Sequence, residues 1–404
     1  MDFLLNFLFE HYKGLLNLSF WQYVVVTVVW VHITMIAITL YFHREQAHRS
    51  CDLHPALRHF FRFWLWMNTG APTKEWVAVH RKHHAFTERE GDPHSPQVFG
   101  LKKVLLEGAE LYRAEARNPE TLEKYGRGTP DDWLERNVYS RFTYTGIALL
   151  VILDLVLFGV PGIIMVAVQL VAMPFAAAGV INGLAHAKGY RNFATDDTST
   201  NLWPIAIFIA GEELHNNHHA FPSSAKFSMR PWEIDLGWLH LKLFSWLGLA
   251  KIRRVATPPV PAATAAPTVD LEGLKAVITN RMHVLRAYTQ RVTLPVLRRE
   301  IEALGENANG VVSAVKRWLS WQPHMLDAHA RERLAELRQR HPHFEKVLQF
   351  HAELKALWEG AHTSNERLLA DFKEWCARAE ASGIQCLEEF VAYVKSLRPS
   401  QIPA

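Results

Sequence analysis

Cysteine is scarce in this chain. Its 404 residues hold three, Cys51, Cys376 and Cys386, with no CxxC pair and none beside a histidine cluster. That argues against a disulfide framework and against an iron–sulfur cluster. Net charge is small, at +4, and gives no electrostatic basis for nucleic-acid binding. No GxGxxG stretch marks a flavin or nicotinamide site, and no HPGG stretch marks a haem. The start, Met1-Asp-Phe-Leu-Leu5, lacks a basic n-region and a small-residue cleavage site, so no cleaved signal peptide is read.

One further absence is informative. Residues 19–42 contain no Asp, Glu, Lys or Arg. A bilayer core needs roughly 20 apolar helical residues, and this stretch supplies them, with Trp21, Tyr23 and Tyr41 near its ends as interfacial aromatics. Residues 142–160 and 161–183 form a second and third expected span, joined by Gly159-Val-Pro-Gly162. Asp154, inside the second, is expected to snorkel or to make a structural hydrogen bond. Residues 55–71 are apolar but short, and Arg58, His59 and Arg62 interrupt them. They are expected to lie in the interface without crossing. The first eighteen residues are too interrupted to span and are expected to be interfacial or poorly ordered. Between 43 and 141 there are sixteen Lys and Arg, which puts this face in the cytoplasm by the positive-inside rule.

What the chain has in quantity is clustered histidine. The clusters read His43-Arg-Glu-Gln-Ala-His48, His80-Arg-Lys-His83-His84 and His215-Asn-Asn-His218-His219. Neutral imidazole is a ligand for iron, zinc and copper. Eight imidazoles without a cysteine point to more than one metal ion. In HxxHH the positions i, i+3 and i+4 share a helix face, so the second and third clusters converge on regular helices. His43 and His48 are five apart, and on a regular helix they diverge by ~140°. They meet only if the helix bends or the site wraps its end. Asn182 and His186, at i and i+4, are expected to face one cavity. Span parity places all the clusters on one side of the membrane. Glu45, Glu88, Asp92, Glu212 and Glu213 are candidate outer partners for the imidazoles.

With these residues in place, the segment at about 20–250 resembles the membrane-bound fatty acid desaturases, in their stearoyl-CoA (Δ9) branch. The resemblance rests on HxxxxH at 43–48, Trp76 with HRKHHAF at 80–86, Gly91-Asp-Pro-His94 and Asn182-Gly-Leu-Ala-His186. It continues through Gly211-Glu-Glu-Leu-His215 to Pro222 and Trp232-Glu-Ile-Asp-Leu-Gly-Trp238. It implies two iron ions bound by His43, His48, His80, His83, His84, His186, His215, His218 and His219, with Asn182 near one iron through water. The partition between the irons stays open. It further implies O2 as co-substrate and insertion of a cis double bond into a saturated acyl chain, carried by CoA or a phospholipid. A related diiron alkyl hydroxylase is the alternative. Trp76 is expected to line the acyl channel. Two electrons must come from a separate donor such as a ferredoxin, a rubredoxin or a flavin reductase. The expected setting is a bacterial inner membrane, with the active site on its cytoplasmic side.

The expected fold is all-α: polytopic membrane helices carrying a cytoplasmic helical cap, followed by a helical bundle. The desaturase domain is read as 1–254 and a Pro/Ala linker as 255–268. Residues 269–404 are read as a bundle of three or four amphipathic helices, with segments at 326–359 and 364–397. His341, His343 and His351 are expected to be solvated.

Overall fold

A computed structural model describes residues 12–262, 268–359 and 364–398; the expectation for residues 1–11 lies outside them. The chain is helical throughout, with three two-stranded ladders as its only sheet among the described residues. It divides into two compact units. The first comprises residues up to Tyr190 together with Ser199–Val255, and the second Arg191–Thr198 together with residues from Ala256 on.

In the first unit, helix α1 (Phe20–Ala37) continues without a break as a π-helix over Ile38–Ala47. The combined 28 residues are long and apolar enough to cross a membrane, as are the 27 residues of Val160–His186. Four more helices build the unit's core: α2 (Pro55–Thr69), α3 (Thr73–Phe86), α4 (Leu101–Ala116) and α5 (Thr143–Phe158). Helix α6 (Val160–Met173) passes into a second π-helix, Pro174–Ile181. Val25, Val28, Ile152, Val156, Ile164 and Val171 are all exposed on α1, α5 and α6. Continuous apolar faces of this kind suit hydrocarbon rather than water.

Polar groups inside this apolar set are paired. Gln169 on α6 donates to Asp154 on α5 at 2.9 Å, so the buried Asp154 makes the structural hydrogen bond and does not snorkel. Helix α2 ends at Gly70, which adopts φ +60°, a left-handed cap that glycine takes without steric cost. Its arginines serve polar neighbours. Arg62 is held by Asp132 and by Glu135, at 2.6 and 2.9 Å, and Arg58 by Glu45 at 2.6 Å. The 15-residue α2 and the 16-residue α5, the latter expected as a span at 142–160, are both shorter than the two helices long and apolar enough to cross. Two short ladders tie the later segments in. Cys51–Leu53 pairs antiparallel with Ala250–Ile252, and Ile205–Ala206 pairs parallel with Ile234–Asp235.

The second unit has, besides a 3-10 turn at Pro323–Met325, seven longer helices among its described residues, more than the three or four expected: Leu271–Thr279, Arg281–Ala303 with a π-turn inside it, Ala308–Trp318, Ala328–Arg340, Pro342–Glu359, Asn365–Glu380 and Gln385–Ser396. The additional breaks come from caps that periodicity alone passes over. Asn307, Asp327 and Ser364 each accept a backbone N–H of a new helix, and Pro342 restarts the chain after Arg340. Tyr288, Phe344, Phe372, Trp375 and Phe390 fill the core. Tyr288 donates to Val347 O at 2.7 Å and Trp375 to Phe350 O at 3.0 Å.

Of the three histidines expected to be solvated here, only His343 is exposed. His341 is buried at the junction between two helices. His351 packs its ring on Tyr288 at 5.1 Å, because it shares the inner face of its helix with Val347 and Phe350. Val260–Pro261, inside the stretch read as a linker, pairs with Leu397–Arg398. Residues 191–198 are also gripped: Arg191 donates to Ser320 O at 2.7 Å, Gln322 to Ala194 O at 3.1 Å, and Lys355 meets Asp196 at 2.9 Å.

Two glycines give opposite expectations. A Cβ at Gly146 on α5 would lie 2.4 Å from the Trp66 carbonyl oxygen, so Gly146→Val is expected to cost about 1–3 kcal/mol through overpacking. A Cβ at Gly310 meets nothing within 4 Å, and Gly310→Ala should gain up to about 1 kcal/mol of helix stability. Melting curves of the two variants in the same detergent check both.

Candidate metal centre

Three helices and one short turn deliver the imidazoles. The π-helix resolves the awkward spacing of the first cluster. The His48 N–H donates to the His43 carbonyl at 3.1 Å, the i→i+5 bond of a π-turn. This stacks residue i+5 over residue i, and the two rings come within 4.9 Å. The second cluster lies on α3, and the third on a six-residue helix, α7 (His215–Ala220). His186 sits in a single 3-10 turn, Leu184–His186. The shared helix face expected for Asn182 and His186 is therefore not formed, because the π-helix ends at Ile181 and the chain turns between them.

The nine rings form two groups. Potential ligand atoms of His43, His48, His80, His84 and His218 lie within 4.8 Å of one another, and so do those of His83, His186, His215 and His219. Each HxxHH cluster is split between the groups. On α3 the i, i+4 pair His80 and His84 joins the first group and His83 the second. On α7 the pair His215 and His219 joins the second group and His218 the first. The groups adjoin, with the His84 and His219 rings 4.6 Å apart.

The nitrogens face in a consistent sense. Nε2 atoms approach each other in pairs: His48 and His80 at 2.8 Å, His84 and His218 at 2.9 Å, His43 and His218 at 3.1 Å, His186 and His215 at 3.0 Å. Three Nδ1 atoms turn outward onto carboxylates: His43 to Glu212 at 2.8 Å, His83 to Asp92 at 3.0 Å, His186 to Glu88 at 3.0 Å. An ionised carboxylate only accepts, so these three rings carry their proton on Nδ1 and aim the Nε2 lone pair inward. This is the outer support that a metal-bound histidine needs. Burial drives the acid constants of His48, His80, His84, His215 and His218 well below the ordinary imidazole value. They are neutral at neutral pH, as ligation requires. The donor set, all imidazole nitrogen with converging lone pairs, fits two iron ions.

Of the five acids expected to support the rings, Glu88, Asp92 and Glu212 do so. Glu45 instead binds Arg58 and the Leu53 N–H. Glu213 accepts the N–H groups of Phe208 and Ile209 at 2.8 Å, which are near in sequence but point away from the rings. Two further residues support the site without a sequence pattern that marks them. Arg44 is fully buried between Thr39, Asp235 and the Phe227 ring, and locks the π-helix to the Trp232–Trp238 motif. His94, within the quoted Gly91-Asp-Pro-His94, is buried 4.6 Å from the His83 ring. Only the proximity of these motifs in sequence hinted at either role.

A cavity of about 390 Å³ opens onto His43, His80 and His215, a volume typical of small-molecule sites. Asn182 lines it and belongs to neither imidazole group. Trp76 lines it too, stacked at 5.0 Å on His80 and at 5.2 Å on Phe42.

Two outcomes follow from this arrangement. Glu212→Gln removes the carboxylate that orients His43 and should lower metal affinity about 10–100-fold, read by chelator competition with metal analysis. For pH, the buried rings refuse protons that the unfolded chain accepts below an imidazole value of about 6.5. Stability is therefore full above that value and falls as pH drops through it, which thermal melts between pH 8 and pH 5 would display.

Comparison with known proteins agrees with the geometry. A family model described as fatty acid desaturase matches residues 19–242. Residues 271–400, about a third of the chain, match a second family model, described as transposase. Delta-9 acyl-lipid desaturase 2 of Arabidopsis thaliana is 32% identical over 242 residues, covering 59% of this chain and 76% of that protein. The sn-1 stearoyl-lipid 9-desaturase of Synechocystis sp. is 33% identical over 233 residues, covering 56% and 69%. Acyl-CoA 5-desaturase AL21 of Anemone leveillei is 35% identical over 237 residues, covering 55% and 70%. With more than half of its length matched and most of each relative covered, the chain belongs to the fatty acid desaturase family and is an enzyme of that class.

Proposed function

We propose that this enzyme inserts a cis double bond, at the Δ9 position, into a saturated fatty acyl chain at a diiron centre. The observation that carries the reading is the pair of converging imidazole groups at the head of an apolar cavity. The ligands are His43, His48, His80, His84 and His218 on one side, and His83, His186, His215 and His219 on the other. Asn182 lines the cavity beside them and holds a water. The reaction takes two hydrogens from adjacent methylene groups, two electrons and two protons from outside, and one O2, and gives the alkene and two waters. When bound, the irons supply the oxidising power that no side chain has.

The chain's own residues set the conditions for that chemistry. Glu212, Asp92 and Glu88 fix the imidazole tautomers. Trp76, braced between Phe42 and His80, presents a flat apolar wall beside the ligands, against which the methylene groups of an alkyl chain pack. The apolar lining excludes water from the reacting carbons. The electrons come from a separate donor, a ferredoxin, a rubredoxin or a flavin reductase. The sixteen Lys and Arg between 43 and 141 favour a cytoplasmic active site, at the inner membrane of a bacterium. The acyl chain is carried on CoA or on a phospholipid; the printed names of the relatives include both carriers.

Fatty-acid profiles with the double bond located by mass spectrometry test the proposal in cells expressing the chain or its His83→Ala variant. A new Δ9 monounsaturated acid that disappears in the variant is expected. A hydroxy acid in its place would reassign the enzyme as an alkyl hydroxylase.

A further inference from the structure

The cavity wall mixes apolar side chains with polar ones, among them Asn68, Asn182, Tyr112 and Glu75. Tyr112 on α4 and Glu75 in the first turn of α3 both line it. The Tyr112 hydroxyl is buried and has no hydrogen-bond partner. Burial raises its acid constant, and the nearby charge of Glu75 adds to the rise. Glu75 is likewise desolvated: burial, with Glu135 adding to it, pushes its carboxyl up to about 7.

These two groups share the cavity with the metal ligands His43, His80 and His215. On α4 the lining positions Ala109, Tyr112, Arg113 and Arg117 follow the helical repeat, and Arg113 and Arg117 are exposed. The exposed Tyr144 on α5 lines it as well. On α3, Glu75 precedes His80 by five residues and His84 by nine. At 1.5 Å per residue this is about 7.5 and 13.5 Å along the helix, a separation spanned by a mid-chain carbon and not by one beside the acyl head.

A buried hydroxyl without an acceptor is destabilising, so its retention in the cavity wall calls for a ligand acceptor. An acyl chain carries one such atom inside the cavity, the carbonyl oxygen at its head. We propose that the Tyr112 hydroxyl, with Glu75 beside it, binds the carbonyl oxygen of the acyl substrate and thereby determines which pair of carbons reaches the histidines. The proposal rests on the acyl desaturase reading above, and deepens it from a substrate class to the group that counts the carbons. The same carbonyl occurs in a CoA thioester and in a glycerolipid ester.

Equilibrium binding to the full-length, iron-loaded protein without electron donor tests this independently of turnover. Two matched pairs are used: stearoyl-CoA against its S-octadecyl thioether, and 1-stearoyl lysophosphatidylglycerol against its 1-octadecyl ether. The wild type is expected to bind the carbonyl compound of one pair about tenfold more tightly than its partner, and that pair identifies the carrier. Tyr112→Phe keeps the ring and should abolish the preference. Glu75→Gln, which preserves the volume, should alter it by less. Equal binding within both pairs by the wild type overturns the proposal, as does a preference that survives in Tyr112→Phe. With donor and O2 supplied, Tyr112→Phe is further expected to spread the product over neighbouring double-bond positions. A preserved carbonyl preference without turnover in the wild type would defeat the desaturase reading and leave the carbonyl site standing.

Discussion

Nine imidazoles brought together away from water impose the constraint on which the first unit depends. Each ring has one nitrogen that donates and one that accepts, and a low-dielectric interior penalises either left idle. With the Nε2 lone pairs turned to the two centres, the Nδ1 protons of His43, His83 and His186 find acceptors behind the rings, while those of His215 and His218 have none among the described residues. Those acceptors are Glu212 and, from a single loop after α3, Asp92 and Glu88. Glu212 in turn is held by Thr39, and Asp92 by the N–H groups of Glu88 and His94. The folding of the polar segments between the membrane-facing helices is thus organised from the centre outward: imidazole, carboxylate, then backbone.

That order explains what was legible in the amino-acid sequence. The HxxHH clusters could be read directly, because i, i+3 and i+4 converge on any regular helix. The apolar spans could be read because charge is absent from 19–42. The five-residue spacing of His43 and His48 posed a problem that sequence alone states but does not solve, since a π-turn has no compositional mark. Outer partners were half legible. Proximity in sequence selects Glu88, Asp92 and Glu212, but it selects Glu45 and Glu213 equally, and only the direction of each side chain separates them. Arg44, Tyr112 and Glu75 act through contacts between distant segments and leave no local pattern.

The second unit shows the same limit from the other side. Its amphipathic periodicity announced helices, yet the boundaries were set by single capping residues, Asn307, Asp327 and Ser364, and by Pro342. Burial of His341 and half-burial of His351 followed from packing that a polar residue type does not advertise. Its discontinuity in the chain, with Arg191–Thr198 drawn from the middle of the sequence, has no counterpart in composition at all.

The π-turn at His43 also bears on how the enzyme can change over time. An i→i+5 turn holds one residue more than an α-turn, and the four residues between His43 and His48 are the trace of that surplus. Removing any one of them would let the segment relax into an ordinary α-helix, and the two rings would still stack, now at i and i+4. The shortened turn would nonetheless displace Arg44 from Asp235 or Glu45 from Arg58, since both contacts are registered to the wide turn. The box length is therefore fixed less by the metal than by the side chains lodged between its two histidines. Substitution can explore this segment, whereas insertion and deletion cannot.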